Sequence, residues 1–336
     1  VPEGIKAIKY NAPFSYAAQN RTVTAGDYKA IIPQIYPNVK AISVWGGEFA
    51  SPAVYGKVFI SILPKSGVSI TTSTKTSITS SLQEYNVVSI TPELVDLETT
   101  KIIPTVSFKY NANNTTKSKE ALASLIITAI TDYSTESLEQ FEAIFRYSPF
   151  TTIIDETDVA ILSNITNIKI SKTFTPTIGT ATKYTLTFSN ALFHPHSGHM
   201  ASTAGTTAGG ILSSSTFTIT GDTNTYYLED DGAGVVNAFY VSGTTKVYLG
   251  TSVGTIDYTT GDIVLTKINI ATVGQVNGAD STVIRLTVQP ASNDVVPVRN
   301  QILEIDSVNM TVTGVADTIA AGSSDAGVNY TTTASY

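Results

Sequence analysis

Hydroxyl side chains largely replace charged ones in this chain, and that exchange most constrains its fold. The sequence contains 51 Thr and 33 Ser, or 84 of 336 residues, whereas charged residues make up only 14%. Thr is β-branched and stiff at its first side-chain torsion, so it suits exposed strand positions where a soluble helix would carry Lys or Glu. The scarcity of charge excludes a coiled coil, and a hydrophobic content of 42% excludes general disorder. The composition therefore predicts a chain that is mostly β-structure.

The charge balance and the residue types that are missing narrow the possible partners. A formal net charge of −7 argues against nucleic-acid binding, because phosphate recognition needs a stripe of Lys and Arg. The apolar runs are far too short for a membrane span. The absence of Cys excludes disulfides, thiolate metal sites and Cys nucleophiles. No Met opens the chain and no signal-peptide pattern follows, so we expect residue 1 to be the cut end of a longer protein.

Residues 1–172 are predicted to form a first domain that mixes helices with strands. Thr24 and Asp27 form a capping-box pattern, which opens a helix. Strands are predicted at 39–45 and 56–64, where β-branched and aromatic residues lie between turn signals. The apolar face of the predicted helix consists of Tyr28, Ile31, Ile32, Ile35 and Tyr36.

The rest of this first domain is predicted as a short helix near residues 75–85, one long extended run and two further helices. The extended run covers residues 94–110, and Ser118 then caps a helix that continues to residue 133. A second helix is predicted directly afterwards, and residues 1–20 show no clear period. The inward residues of the second helix are Leu138, Phe141, Ile144 and Phe145.

Residues 173–275 are predicted to form an all-β domain, either a sandwich or a meander. No helical period survives there, and turn dipeptides such as Ser242-Gly243 separate the strands. Strands within 276–315 are expected to return to the first domain, and 316–336 is predicted to be a flexible or partner-ordered tail. The fold class is therefore α+β, a mixed α/β region followed by an all-β domain. The strands of the all-β domain are predicted at 183–189, 215–220, 225–228, 235–241, 246–249, 255–258 and 262–266.

All three histidines fall within six residues, at His194, His196 and His199. Neutral imidazoles bind Zn, Cu, Ni and Fe, and His194 and His196 would share a face in an extended segment. No Cys, Asp or Glu stands nearby to complete a ligand set, and Pro195 restricts the backbone. The pattern therefore favours an exposed polar loop or an interface hairpin over a metal site.

The sequence carries no catalytic motif. A nucleophile elbow, a phosphate-binding loop and a dinucleotide fingerprint are all missing. The acidic run at 229–232 lacks the spaced oxygens of a calcium loop and predicts the tip of a β-hairpin. Asp155, Glu156 and Asp158 could pair as glycosidase carboxylates do, but acids beside a helix more often cap it or face solvent. We therefore predict a non-enzymatic protein that binds no cofactor.

Motifs in the first sixty-odd residues follow one another in a family-specific order. They are an Arg-x-hydrophobic-Thr stretch at 21–24, an Asp-Tyr pair opening a helix at 27–28, a Tyr-Pro turn at 36–37 and a Gly-led strand at 56–62. This order resembles the baseplate J-like family of contractile phage tails. The family-motif or interface residues are Arg21, Asp27, Tyr28, Trp45, Gly46, Gly47, Tyr55 and Gly56.

The resemblance implies a structural role in a phage tail. Members of the family look like scaffold proteins that dimerise, form a ring around the tail hub and link neighbouring wedges while the baseplate rearranges. It implies that the partners are the chain itself and other baseplate wedge and tail proteins, without nucleic acid or membrane. The implied location is the tail baseplate of the virion, after assembly in the host cytoplasm. The family pattern carries no catalytic residues over to this chain.

A secreted β-rich adhesin or carbohydrate-binding module is the alternative from another functional class. Trp45, Tyr28, Tyr36 and Tyr55 could form a carbohydrate platform, although no set of polar partners accompanies them. Stable protein interfaces favour Tyr, Trp and Phe anchors and few charges, and the chain has 17 Tyr and 12 Phe. The structural subunit is therefore the leading interpretation.

Overall fold

The computed structural model describes residues 5–50, 52–67, 69–87, 89–194 and 210–317. They form two compact units, each built from separate stretches of the chain. The first unit contains the residues up to Thr99 together with Leu138–Ala143 and Pro297–Ile302. The second contains Thr100–Ser137, Ile144–Val296 and the residues from Leu303 onward. The domain limits expected from composition stay a prediction.

The first unit packs three helices around a small mixed sheet. In this sheet β2 lies in the middle, antiparallel to β1 and parallel to β3. Its core includes Tyr28, Ile32, Ile60 and Leu82, each at most 1% exposed. The elements are α1 (Ile5–Ala18), α2 (Ala25–Ile35), β1 (Val39–Gly46), β2 (Lys57–Pro64), α3 (Thr72–Leu82) and β3 (Thr91–Leu94).

Helix α2 begins where the sequence predicts. The Thr24 side chain accepts a hydrogen bond from the Asp27 backbone, and the Asp27 carboxylate accepts one from the Thr24 backbone. Tyr28, Ile31 and Ile32 are buried along one face, as their helical spacing predicts. The helix continues two residues past Pro33 to Ile35.

Helix α1 was not expected, because residues 1–20 show no apolar period. Its apolar residues are mostly exposed, and Ala18 is its buried residue among those whose side chains are described. The helix contacts α2, and the Gln34 side chain donates a hydrogen bond to Ser15 Oγ at 3.3 Å. Without a buried stripe the sequence offers no periodic signal, so packing against α2 is the stabilising factor.

The second unit begins with helices against one face of a six-stranded sheet. The strand order is β15-β4-β5-β14-β7, and β16 pairs in parallel with β4. Helix α4 contacts β16 and α5 contacts β5. The elements are β4 (Glu98–Tyr110), α4 (Lys119–Tyr133), α5 (Tyr147–Asp155), β5 (Ile161–Phe174), β7 (Ser213–Ser214), β14 (Ile284–Val288), β15 (Gln301–Ile305) and β16 (Thr311–Ala316).

The second helix predicted after α4 is misplaced. A single π-helical turn follows α4 at Ser134–Leu138, and the next helix is α5. Phe145 instead forms a β-bridge with Val295, with backbone N–O distances of 2.9 and 3.1 Å in the two directions. The bridge joins residues 150 positions apart, so no local pattern could have indicated it.

A seven-stranded sheet follows and confirms the predicted all-β region. Strand β9 pairs with both β8 and β10, so the pairings of β8, β9, β10, β12 and β13 close into a ring. The C-terminal strands β14 and β16 return to β5 and β4, and the α+β fold class is confirmed. Among the described helices, none is long and apolar enough to cross a membrane. The remaining strands are β6 (Ala181–Thr187), β8 (Phe217–Ile219), β9 (Thr225–Asp230), β10 (Val235–Ser242), β11 (Thr245–Tyr248), β12 (Gly254–Asp257) and β13 (Asp262–Val273).

Candidate assembly surface

Three of the motif residues, Arg21, Asp27 and Tyr28, lie at the start of α2. Asp27 Oδ2 accepts hydrogen bonds from the backbone N–H groups of Val23 at 3.1 Å and Thr24 at 2.8 Å. Burial alone would raise the pKa of Asp27, but these hydrogen bonds and nearby Arg21 outweigh it and lower the pKa below its ordinary value. Arg21 itself donates to Gln19 Oε1 at 3.1 Å. The motif here stabilises the helix start.

Tyr28 is a core residue of the first unit. It is 1% exposed, and its hydroxyl donates to Asn86 Oδ1 at 3.3 Å. Thr22 Oγ1 lies 2.9 Å from the same Asn86 oxygen, and the Thr22 backbone N–H bonds to the Tyr85 carbonyl at 2.9 Å. Burial raises the pKa of Tyr28. The residue therefore joins the helix start to the segment after α3 and presents no surface to a partner.

The glycines of the motif allow close backbone approach between β1 and β2. A Cβ on Gly47 would lie 1.8 Å from the Val54 carbonyl oxygen, so the position has no room for a side chain. Gly56 has φ +79°, a left-handed conformation that glycine adopts without strain. Trp45 lies opposite Phe59 on β2, with ring centroids 5.9 Å apart. These residues constrain the backbone at the two ends of the segment between β1 and β2.

The loop presents three apolar side chains to solvent. Phe49 is 59% exposed, Val54 36% and Tyr55 82%. The Val54 N–H donates to the Gly47 carbonyl at 2.9 Å, so the loop folds back on itself. We call Phe49, Val54 and Tyr55 the loop surface. Exposed apolar side chains that lie close together in the sequence of one loop are suited to binding another apolar surface.

Sequence reasoning named Tyr55 but missed Phe49 and Val54. Their exposure depends on how the backbone between β1 and β2 folds. The signal that could have found them is the density of apolar residues between Gly47 and Gly56, where a turn would normally be polar.

The structure places His194 at an exposed position beside the acidic hairpin. Its ring stacks on Tyr258 with centroids 4.4 Å apart, and Nε2 donates to the Gly232 carbonyl oxygen at 3.0 Å. His196 and His199 lie outside the described residues. Within the described part of the chain, no group of three His, Cys, Asp or Glu residues could hold a metal ion. The metal alternative therefore receives no support from His194.

The acidic run at 229–232 is the hairpin tip that the sequence predicts, since β9 ends at Asp230 and β10 begins at Val235. Two of its acids are nevertheless buried, Glu229 at 7% and Asp230 at 2% exposure. Asp230 accepts hydrogen bonds from the Tyr258 hydroxyl at 2.6 Å and from the Leu212 N–H at 2.8 Å. Burial, and then the hydrogen bond to Asp230, raise the pKa of Tyr258.

Glu229 forms a second polar cluster on the same hairpin. It accepts hydrogen bonds from Lys246 Nζ and from the Tyr248 hydroxyl, both on β11. Lys246 Nζ also lies 4.3 Å from the Phe239 ring centroid. Burial, together with Glu229, raises the pKa of Tyr248 to about 12. Sequence reasoning missed both clusters, because the hydrogen-bond partners lie 17 to 28 residues away from the acids along the chain.

The acids considered as a glycosidase pair take structural positions. Asp158 accepts hydrogen bonds from Lys117 Nζ at 2.5 Å and from the Ala160 N–H at 2.9 Å. These hydrogen bonds, above all the one from Lys117, lower the pKa of Asp158. Asp155 accepts one from Asn164 Nδ2 at 2.7 Å. Both carboxylates hold the start of β5 and the end of α5, which is the capping role expected for them.

Comparison with known proteins matches the first half of the chain. Residues 24–95 match the family described as baseplate structural protein gp6, C-terminal domain I, and residues 101–173 match its C-terminal domain III. The chain resembles the C-terminal part of gp6. The resemblance to tail baseplate proteins that the motifs indicate is confirmed.

A curated relative is the baseplate wedge protein gp6 of Enterobacteria phage T4. It is 28% identical over 170 residues, which is 50% of this chain. The chain spans about a quarter of the length of that relative, since the match covers 25% of it. The gp6 domain I match contains the capping box and the loop surface, and the domain III match contains α4, α5 and most of β4 and β5.

Proposed function

We propose that the chain is a structural subunit of the baseplate wedge in a contractile phage tail and has no enzymatic activity. The observation that carries this proposal is the pair of matches to gp6 C-terminal domains, in chain order and over residues 24–173. The fold supports it, because the acids and the histidine that could suggest chemistry are engaged in structural contacts. The protein would act in the virion tail baseplate, after assembly in the host cytoplasm.

We further propose that the chain self-associates as a dimer through the loop surface. Tyr and Phe are typical anchors of protein interfaces, since they bury large area at low conformational cost. The loop is held by Gly47 and by the Trp45–Phe59 pair, so little ordering is needed when a partner binds. In the virion such contacts would contribute to a ring around the tail hub and link wedges, together with other baseplate and tail proteins.

Sedimentation velocity on a pair of matched variants tests the self-association. Phe49→Ser with Tyr55→Ser removes two anchors of the loop surface, and we expect the dimer to dissociate at least tenfold more readily than that of the unaltered chain. Tyr16→Ser is the control, because Tyr16 is 83% exposed, as Tyr55 is 82% exposed, but lies on α1. A purely monomeric unaltered chain at tens of micromolar, or equal effects of both variants, would refute the assignment.

The baseplate role is tested separately on purified virions. Mass spectrometry of isolated tails should detect the chain in a fixed ratio to other baseplate proteins, and antibody labelling should mark the end of the tail that contacts the host. Absence of the chain from purified tails would refute the structural role. Release of saccharides by the purified chain would refute the non-enzymatic assignment.

A further inference from the structure

Parts of three strands of the six-stranded sheet, β4, β5 and β16, are exposed on one side. In β4, β5 and β16, residues directly opposite one another share a face, for example Ser107 with Ile165 and Val315 with Lys109. The odd-numbered residues of 105–109, 163–169 and 311–315 all point to this side, and every one of them is exposed. We call these residues the open sheet face.

The opposite side of the same strands forms the core of the second unit. Val106, Phe108 and Ile168 point there and are at most 3% exposed. Helices α4 and α5 contact strands β16 and β5. This part of the sheet therefore has one side that is buried within the unit and one that is open, as strands of an antiparallel sheet can have.

The open sheet face carries apolar side chains that a purely solvated face would not need. Ile165 is 67% exposed and Val315 is 53% exposed. Around them lie Thr, Ser and Asn side chains, which can exchange hydrogen bonds with a partner. An apolar centre within a polar surround is the usual composition of a protein interface.

The charge of this face is opposite to that of the chain. The open sheet face holds Lys109 and Lys169 and no Asp or Glu, whereas the whole chain has a net charge of −7. Neither ammonium group forms an ion pair with a described carboxylate. By contrast, Lys101 on β4 lies 3.9 Å from Glu304. The face is thus a positive surface on an acidic protein.

We propose that the open sheet face binds an acidic surface of a different protein chain. Complementary charge guides such an encounter and fixes its register. A two-fold symmetric contact with a second copy would place the face against itself, so that its lysines would oppose like charges. That a partner exists follows from the proposed assembly role, on which this inference rests. The acidic chemistry of the partner follows from the open sheet face itself.

The probe for this inference is a fluorescent synthetic peptide of alternating Glu and Thr, measured by anisotropy in buffer of low ionic strength. Lys109→Glu with Lys169→Glu reverses both charges of the open sheet face. The control is Lys9→Glu with Lys183→Glu, which changes the net charge equally at exposed positions on α1 and β6. We expect the face variant to lose at least tenfold more affinity than the control, and added salt to weaken binding to the unaltered chain.

Two results would overturn the inference. The first is equal loss of affinity in the face and control variants, or no binding of the peptide by the unaltered chain. The second is dissociation of the dimer by the face variant and not by the control, which would identify a second copy as the occupant. Failure of the loop-surface variants to affect the dimer would refute only the proposed self-association and would leave this inference standing.

Discussion

Replacing Gly47 by Ala should destabilise the first unit strongly although it adds one methyl group. Gly47 is buried beside the folded-back loop, and a Cβ there would lie 1.8 Å from the Val54 carbonyl oxygen. Ordinary contact begins at 3.4 Å, so Val54 must retreat by about 1.6 Å. Its N–H would then lose the 2.9 Å hydrogen bond to the Gly47 carbonyl.

The expected cost combines overpacking with the lost hydrogen bond. Overpacking in a well-packed region costs about 1–3 kcal/mol, and one hydrogen bond contributes about 1 kcal/mol. We therefore expect Gly47→Ala to lower the free energy of unfolding of the first unit by about 2–4 kcal/mol. Because the loop surface depends on the same backbone, the variant should also weaken self-association.

The assay is urea unfolding followed by tryptophan fluorescence. Trp45 is the single Trp of the chain and lies on β1, so its emission reports the first unit. Gly26→Ala is the matched control, because its Cβ would meet Thr24 Oγ1 at an ordinary 3.6 Å within α2. The control should raise stability by about 0.5 kcal/mol. An unfolding midpoint for Gly47→Ala equal to that of the unaltered chain would refute the close-approach argument.

Three further predictions concern single groups. Asp27→Asn should lower the free energy of unfolding by about 1 kcal/mol at neutral pH. Because folding lowers the pKa of Asp27, the stabilisation by its carboxylate is present above the ordinary value of 3.8 and is lost as the pH falls through the folded-state pKa. Urea unfolding at decreasing pH should therefore show the stabilities of the variant and the unaltered chain converging. Tyr258→Phe should cost about 1.5–3 kcal/mol in thermal unfolding followed by circular dichroism, because it removes the hydroxyl that donates to buried Asp230, whereas Tyr227→Phe should be close to neutral. Gly210→Ala places a Cβ 2.0 Å from Asp230 Oδ1, so it should also destabilise the second unit. The loss of unfolding free energy in the double variant Gly210→Ala with Tyr258→Phe should be smaller than the sum of the two single losses, because both act on Asp230. Strictly additive losses would contradict a shared site.

Elements with local signals were predictable from the sequence. The capping box at Thr24 and Asp27 needs only residues three apart, and it was found in place. The strands of the all-β region were located by their alternation and by turn residues such as Gly232 and Gly243, which have φ +72° and +62°. In each case the free energy that selects the structure arises within a few residues.

Elements stabilised by distant contacts were missed or misplaced. Helix α1 packs against α2 without an apolar stripe of its own. Phe145 was predicted to lie in a helix but forms a β-bridge with Val295. The 14-residue strand β5 was not expected, because its exposed face alternates polar residues with Ile165 and its register depends on β4. Intrinsic helix or strand propensity decides the secondary structure of a segment only weakly where tertiary packing contributes more free energy.

The sequence alone determined the class of this protein, because hydroxyl content, turn residues and the ordered motifs of residues 21–62 are local properties of the chain. It also named Tyr55 among the family-motif or interface residues. Only the tertiary structure decided that Phe49 and Val54 are exposed together with Tyr55, and that Lys109 and Lys169 lie on one open face. The physical reason is that exposure and shared faces depend on which distant strands and helices cover a residue.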